Sequence, residues 1–310
     1  TQEIYYYPTD TSHIEQAQNY SMYTHQAQAT YNYERNGIRS FFRNLLEAQG
    51  AWSRSQEDLH GNRELTQRLQ TNRLQLTNQM NLLTTREHTT SGFRSFFRYT
   101  YQPTTLQFAQ VNQSFGLQQA YMDNQGYYQW KKNGMTIGIT GGVQGEWLSL
   151  HQTANFSSPQ FKLYAIPMWM WEQNTFRLTV SADAAFLRKT NPQYTDLRIS
   201  PTASLYWQFS PRWKLTARAQ FQQKNEEVTA YYPYSYWQNY RTMVSFSPRV
   251  PELQDQLYSF YLTYKRTVHE FFWSLSGSYW NRKNPQLVHS EYQDSIFTLT
   301  TWEIPNRNRS

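Results

Sequence analysis

The stretch that decides the fold runs from Asn174 to Gln222, NTFRLTVSADAAFLRKTNPQYTDLRISPTASLYWQFSPRWKLTARAQFQ. It holds three consecutive segments that alternate apolar and polar residues. In the first, Phe176, Leu178, Val180, Ala182, Ala184 and Phe186 share a face, and Arg177, Thr179, Ser181 and Asp183 take the other. In the second, Ala203, Leu205, Trp207 and Phe209 alternate with Thr202, Ser204, Tyr206 and Gln208. The third sets Leu215, Ala217, Ala219 and Phe221 against Lys214, Thr216, Arg218 and Gln220. Side chains on a strand point to opposite faces with period two, so each segment reads as a strand with one apolar and one wet side. The link Ser210-Pro211-Arg212 between the last two is short; the polar link between the first two is long.

The same pattern and the same rhythm extend in both directions. Towards the N-terminus, Tyr23, Ala27, Ala29, Tyr31 and Tyr33 share a face. Leu74, Leu76, Met80 and Leu82 do so further on, then Phe93, Phe97, Tyr99 and Tyr101, then Met135, Ile137, Ile139, Val143 and Trp147. Beyond the opening stretch come Tyr258, Phe260, Leu262 and Tyr264, then Phe271, Trp273, Leu275 and Tyr279. Asn36-Gly37 and Asn133-Gly134 are type I′ hairpin signals, because both residues tolerate positive φ. The polar stretch from Gln49 to Gln70 reads equally well as a helix or a long loop. Short connections fall near residues 34–37, 85–91, 131–134, 172–174, 210–212 and 266–270. Long ones fall near 8–19, 49–69, 102–116, 149–160, 188–197, 223–256 and 281–293. Up-and-down transmembrane β-barrels alternate short turns and long loops in this way, and the pattern predicts an all-β, antiparallel barrel wall of about fourteen strands. No fixed-period repeat supports a propeller or a solenoid.

Composition agrees. Aromatic residues make up 17% of the 310-residue chain and charged residues only 16%, with a mean hydropathy of −0.83. A lipid-facing row on each strand, a polar lumen and aromatic girdles account for that mixture. Composition alone also admits a soluble β-rich protein with a sugar-binding or structural surface. No run reaches the 18 or so apolar residues that a spanning helix requires. Cysteine is absent, which removes disulfides and thiolate chemistry. The net charge of +7 comes from singly scattered Lys and Arg, which argues against nucleic acid as a partner. Neither a starting Met nor a signal peptide is visible, so the sequence is expected to be a processed product or an excerpt.

Chemistry-bearing motifs are few. The seven histidines show no paired-ligand spacing, so no metal or other cofactor is expected. Gly138, Gly141, Gly142 and Gly145 lie within an alternating strand and lack the helix that a phosphate loop requires, so they read as sites of close packing. There is no Gly-x-Ser-x-Gly elbow. His269-Glu270 is a candidate adjacent pair on a short connection, and no enzymatic activity is expected. Arg94, Arg98, Arg177, Asp183, Lys214 and Arg218 fall on the wet faces and are expected to face the lumen. There they either steer an anionic ligand, grip a plug, or satisfy a wet interior. The aromatic run Tyr231, Tyr232, Tyr234, Tyr236 and Trp237 is a candidate ligand-binding loop, since rings stack on sugars and other ligands; an interfacial girdle explains it equally well.

Several elements resemble TonB-dependent outer-membrane receptors of the Bacteroidota type, including those with a carboxypeptidase-regulatory-like domain. They are Leu163-Tyr164-Ala165-Ile166-Pro167 with Phe176-Arg177-Leu178-Thr179-Val180, then Leu197-Arg198-Ile199-Ser200-Pro201 leading to Pro211-Arg212-Trp213-Lys214-Leu215, and Asn239-Tyr240-Arg241. The resemblance implies a 22-stranded barrel around a plug in the Gram-negative outer membrane. It also implies import of a large ligand with energy delivered by TonB, and a surface lipoprotein as partner. No stretch reads as a plug, a TonB box or a regulatory domain. The expectation is therefore a single partial barrel domain over 1–310, contacting outer-membrane lipid, with transport belonging to the full-length parent. A non-transporting structural or assembly barrel, and a barrel enzyme, are the alternatives.

Overall fold

The computed structural model describes residues 3–6, 11–14, 16–61, 64–152, 155–191, 193–225, 235–239, 242–245, 252–266, 271–283, 286–293 and 296–303. Every element in these segments is a strand. The longest are β3 (Gln16–Asn36), β4 (Ser40–Gly61), β5 (Leu65–Thr85), β6 (Thr89–Phe108) and β7 (Val111–Lys132). They are followed by β8 (Met135–His151), β9 (Asn155–Gln173), β10 (Phe176–Lys189), β11 (Tyr194–Trp207) and β12 (Trp213–Asn225), and then by β15 (Glu252–Arg266) and β16 (Phe271–Lys283). These twelve strands form one antiparallel sheet in the order β16-β15-β12-β11-β10-β9-β8-β7-β6-β5-β4-β3. Each strand pairs with its neighbour in sequence, apart from the step between β12 and β15. The short strands β13 (Tyr236–Asn239) and β14 (Thr242–Ser245) lie within that step. They join β17 (Gln286–Gln293) and β18 (Ile296–Glu303) in a separate four-stranded sheet, order β13-β14-β18-β17. A two-stranded ribbon, β1 (Glu3–Tyr6) and β2 (Thr11–Ile14), completes the described elements.

The up-and-down sheet and the alternation of its faces agree with the sequence reading, with three differences. First, the main sheet has twelve strands rather than about fourteen, because the segments after Lys283 pair in the smaller sheet. Second, most of the long links are not loops. Gln49–Gln70, read as helix or loop, continues β4 to Gly61 and opens β5 at Leu65, paired throughout from Leu59↔Leu65 down to Gln49↔Gln75. The link near 102–116 closes at Ala109–Gln110, with Ala109 at φ 47°. Those near 149–160 and 188–197 shrink similarly as β8 to β11 lengthen. Strands β3 to β7 run 20–22 residues. At about 3.3 Å per residue that is about 70 Å along the strand, or about 50 Å in height at a 45° tilt. A hydrocarbon core of about 30 Å leaves the surplus outside the bilayer. Third, the turn after Asn36 spans residues 37–39 and closes through the Gly37 N–H donating to the Ser40 carbonyl at 2.7 Å. Neither Asn36 nor Gly37 takes positive φ, so the type I′ signal misreads this turn.

At Asn133-Gly134 the signal holds: φ is 50° and 77°. Gly134 is required there twice over. A Cβ would lie 2.2 Å from the Glu172 carbonyl oxygen, held close because the Glu172 N–H donates to the Gly134 carbonyl at 2.7 Å, and the φ of 77° is one that L side chains rarely adopt. The short turns after β3, β5, β7, β9 and β11 line one edge of the sheet, and hydrogen bonds such as Lys131 N–H to the His88 carbonyl (2.8 Å) tie neighbouring turns together.

Candidate functional site

The most informative surface is the sheet's pair of faces, because one of them exposes a contiguous set of large apolar side chains. Following the register across the strands, Phe93, Ile139, Leu163, Val180, Phe186, Leu197, Ile199 and Trp207 lie on one face, and all are exposed. Leu163 is 50% exposed and Ile199 56%. The opposite face holds the buried polar groups Thr100, Thr104, Gln113, Thr136, Ser158, Lys189 and Arg198 together with buried Leu106, Leu148, Phe156 and Leu187. An apolar side chain left in water forgoes about 1.5–3 kcal/mol, and a contiguous apolar face of this size marks a membrane or protein contact.

The height of the apolar face can be measured on β9. Its row Phe161, Leu163, Ala165, Pro167, Trp169, Trp171 is uncharged and begins and ends on aromatics. Ten residue steps give about 33 Å along the strand and about 23 Å in height at 45°, close to the ~25 Å apolar band of outer-membrane barrels. Along the short-turn edge, neighbouring strands bring their first apolar-row residues together as a chain of rings. Trp171 meets Phe176 at 5.2 Å between centroids, and Phe176 meets Trp207 at 6.4 Å. Trp207 meets Phe209 at 5.2 Å, Phe209 stacks on Trp213 at 6.1 Å, and Trp213 meets both Tyr264 at 4.9 Å and Trp273 at 5.9 Å. This girdle escaped the residue-level reading. Its signal is an aromatic at the first or last apolar position beside each short turn.

All six charges expected on the wet side do lie on the polar face, but they do not converge. Arg177 donates to Glu172, with its Nε at 2.9 Å. Asp183 pairs with Lys162 at 3.4 Å. Arg98 stands over the Tyr121 ring at 5.6 Å and Lys214 over the Tyr206 ring at 4.8 Å. Arg218 donates to Gln220 at 2.8 Å, and Arg94 is exposed, in register with Asn81 and Gln125. Strand alternation places these residues; their mutual spacing builds a wet wall rather than one pocket. The densest group includes residues that the sequence did not single out. The Tyr164 hydroxyl donates to Asp123 at 2.8 Å, Lys162 lies 5.0 Å from the Tyr164 ring, and Gly142 leaves room for that ring, where a Cβ would sit 2.6 Å from its hydroxyl.

The aromatic loop is described only in part. Tyr231, Tyr232 and Tyr234 lie outside the described residues, as do His269 and Glu270. Tyr236 opens β13. Trp237 is half-buried against Phe108 at 5.3 Å, and its backbone is held at both groups by Gln113. The Trp237 N–H donates to Gln113 Oε1 at 3.0 Å, and Gln113 Nε2 donates to the Trp237 carbonyl at 3.3 Å. Trp237 thus anchors the small sheet to the far end of the β6–β7 hairpin. On the strand extension beyond the apolar band, hydrogen bonds from the Thr66 hydroxyl and the Gln56 amide hold the Asp58 carboxyl below its usual range. Among the described residues no group of three or more His, Asp or Glu side chains could hold a metal ion.

No protein-family model matches the sequence, and no curated protein matches it. Solved structures do match in fold. The copper transporter OprC superposes with a TM-score of 0.61 at 7% identity, over 94% of this chain and 57% of that one. A chain of the FpvAI–pyocin S2 complex gives 0.50 at 8% identity, over 93% of this chain and 50% of that one. The protein is thus all-β, with an antiparallel up-and-down sheet similar to the wall of TonB-dependent receptor barrels. It spans little more than half the length of these two structures.

Proposed function

We propose that this chain is a section of the wall of an outer-membrane barrel in a TonB-dependent, receptor-like transporter of a Gram-negative cell. The carrying observation is the two-sided sheet: an exposed, uncharged apolar face about as tall as the apolar band of an outer-membrane barrel, backed by a face that carries the charges, several of them paired. A wall between lipid and a wet lumen requires that arrangement. On this reading residues 1–310 are one partial barrel domain of a Bacteroidota-type receptor, while the plug and regulatory domain belong to other parts of the parent protein. The main sheet supports this by ending on β3 and β16, neither of which has a further partner among the described residues. Unpaired edges of this length are costly and sticky, and further strands would close them towards a barrel of about 22.

Arg94, Arg98, Arg177, Asp183, Lys214 and Arg218 line the lumen, where they keep the interior wet and give a plug polar groups to meet. The aromatic run Tyr231, Tyr232, Tyr234, Tyr236 and Trp237 is our candidate for the extracellular segment that stacks on an imported ligand. TonB and a surface lipoprotein are partners of the full-length receptor, and the wall itself performs no catalysis. The test is TonB-dependent growth or uptake in cells carrying the full-length gene, together with the location of its product. A product in the outer membrane whose deletion abolishes uptake of a large solute, and whose uptake is lost without TonB, supports transport. An outer-membrane product without plug or TonB dependence favours the structural or assembly barrel instead. Recovery in the soluble fraction overturns both.

A further inference from the structure

Between β10 and β16 the apolar face contains a groove of about 580 Å³. Its floor consists of small residues brought together by register: Ala203 opposite Ala219, and Ala217 opposite Leu205 and Phe260, with Gly277 one strand further on. Tyr258 and Tyr279, 6.2 Å apart between ring centroids, wall the end farther from the short turns. The Phe260 ring lies over Gly277, where a Cβ would come within 2.5 Å of it. The groove is therefore built by residue size and depends on the absence of a side chain at one position. Neighbouring strands at similar heights carry the larger side chains Ile139, Trp169 and Val180.

The groove's position selects its occupant. On β15 the same face continues towards the short-turn edge through Leu262 and Tyr264 to Arg266, an exposed cation just beyond the Tyr264–Phe271 ring contact. From Arg266 to Phe260 is six residues, about 20 Å along the strand and about 14 Å in height at 45°. That is about half a hydrocarbon core of ~30 Å. A cation at headgroup level and an apolar groove at mid-bilayer level, one chain length apart, match an anionic headgroup and its acyl chain.

We infer that this groove seats one phospholipid of the leaflet at the short-turn end, with its phosphate on Arg266 and an acyl chain lying on Ala217 and Ala219. The inference rests on the barrel-wall reading above, and the experiment separates the two. The full-length protein is folded into phosphatidylethanolamine–phosphatidylglycerol vesicles containing a phosphatidylglycerol with a mid-chain diazirine, irradiated, and mapped by peptide mass spectrometry. Heat-modifiable gel migration reports insertion independently. Labelling is expected to concentrate at Ala217–Ala219, Phe260 and Gly277–Tyr279, at least fivefold above Val143, Leu163 or Leu197 on the same face. Ala217→Phe with Ala219→Phe, which fills the floor without adding charge, is expected to remove that excess while insertion persists. Arg266→Glu is expected to reduce it when the probe is the phospholipid but not when it is an uncharged diazirine alcohol of the same chain length. Even labelling over the whole apolar face would leave the barrel wall intact and overturn the seat. Labelling of neither the groove nor the rest of the face would overturn both.

Discussion

Placing an arginine at Val180 should be far more damaging than placing one at Ser181, its immediate neighbour. Val180 lies on the apolar face, 41% exposed, opposite Ala203 and Trp169. It is four residues from the girdle residue Phe176 and six from Phe186 at the other end of the row. At about 3.3 Å per residue and 45° tilt, those separations put it about 9 Å from one margin of the band and about 14 Å from the other. An arginine near the midplane of a lipid-facing row costs about 2–4 kcal/mol, falling to about 0–1 near the interfaces. Converted at ~1.4 kcal/mol per decade, Val180→Arg should lower the folding equilibrium constant about 30- to 700-fold. Ser181 points to the polar face, two residues from Asp183, and Ser181→Arg should cost less than about 1 kcal/mol. Urea titration of the full-length protein in lipid vesicles, read by heat-modifiable migration, measures both. Equal losses at the two positions, or a larger loss at Ser181, would refute the assignment of the faces.

Three further outcomes follow from single contacts. Gly134→Ala should cost at least about 1–3 kcal/mol and slow formation of the β7–β8 hairpin, since it meets both a positive φ and the Glu172 carbonyl; urea midpoints against a Gly145→Ala control, where a Cβ meets nothing, measure it. Trp213→Ala removes ring contacts to Phe209, Tyr264 and Trp273 and should cost about 2–4 kcal/mol, with Trp213→Phe recovering part of it, in the same titration. Gln113→Leu strands both backbone groups of Trp237 and should release the small sheet without unfolding the large one. Limited proteolysis near residues 235–245 should accelerate about tenfold while the heat-modifiable migration is unchanged.

The alternation over Phe176–Phe186 was legible because a strand between lipid and a wet face must change polarity at every residue. The same strict pattern disappears where β4 and β5 continue past the band. There Arg54, Gln56 and Asp58 stand opposite Gln70, Arg68 and Thr66, both faces meet water, and pairing is held by backbone hydrogen bonds that leave no pattern in side-chain polarity. That is why Gln49–Gln70 read as loop or helix. Asn36-Gly37 misled for a related reason: the pair permits positive φ but does not compel it, and a three-residue link has no need of it. Parity alone sets Arg94, Arg98, Arg177, Asp183, Lys214 and Arg218 on the face opposite the apolar row. The partners Glu172 of Arg177 and Lys162 of Asp183 were not singled out, because cross-strand neighbours depend on a register that polarity alternation does not reveal.

The most direct test of the lipid-facing assignment uses the absence of native cysteine. Single cysteines placed at each position from 176 to 186 of the full-length protein, spin-labelled and reconstituted in vesicles, report collisions with oxygen and with a water-soluble nickel chelate. Oxygen accessibility should peak at positions 176, 178, 180, 182, 184 and 186, rising towards 180 and 182, with nickel accessibility peaking at the odd positions between them. A profile without period two, or with nickel favoured at 178 and 180, would contradict the account.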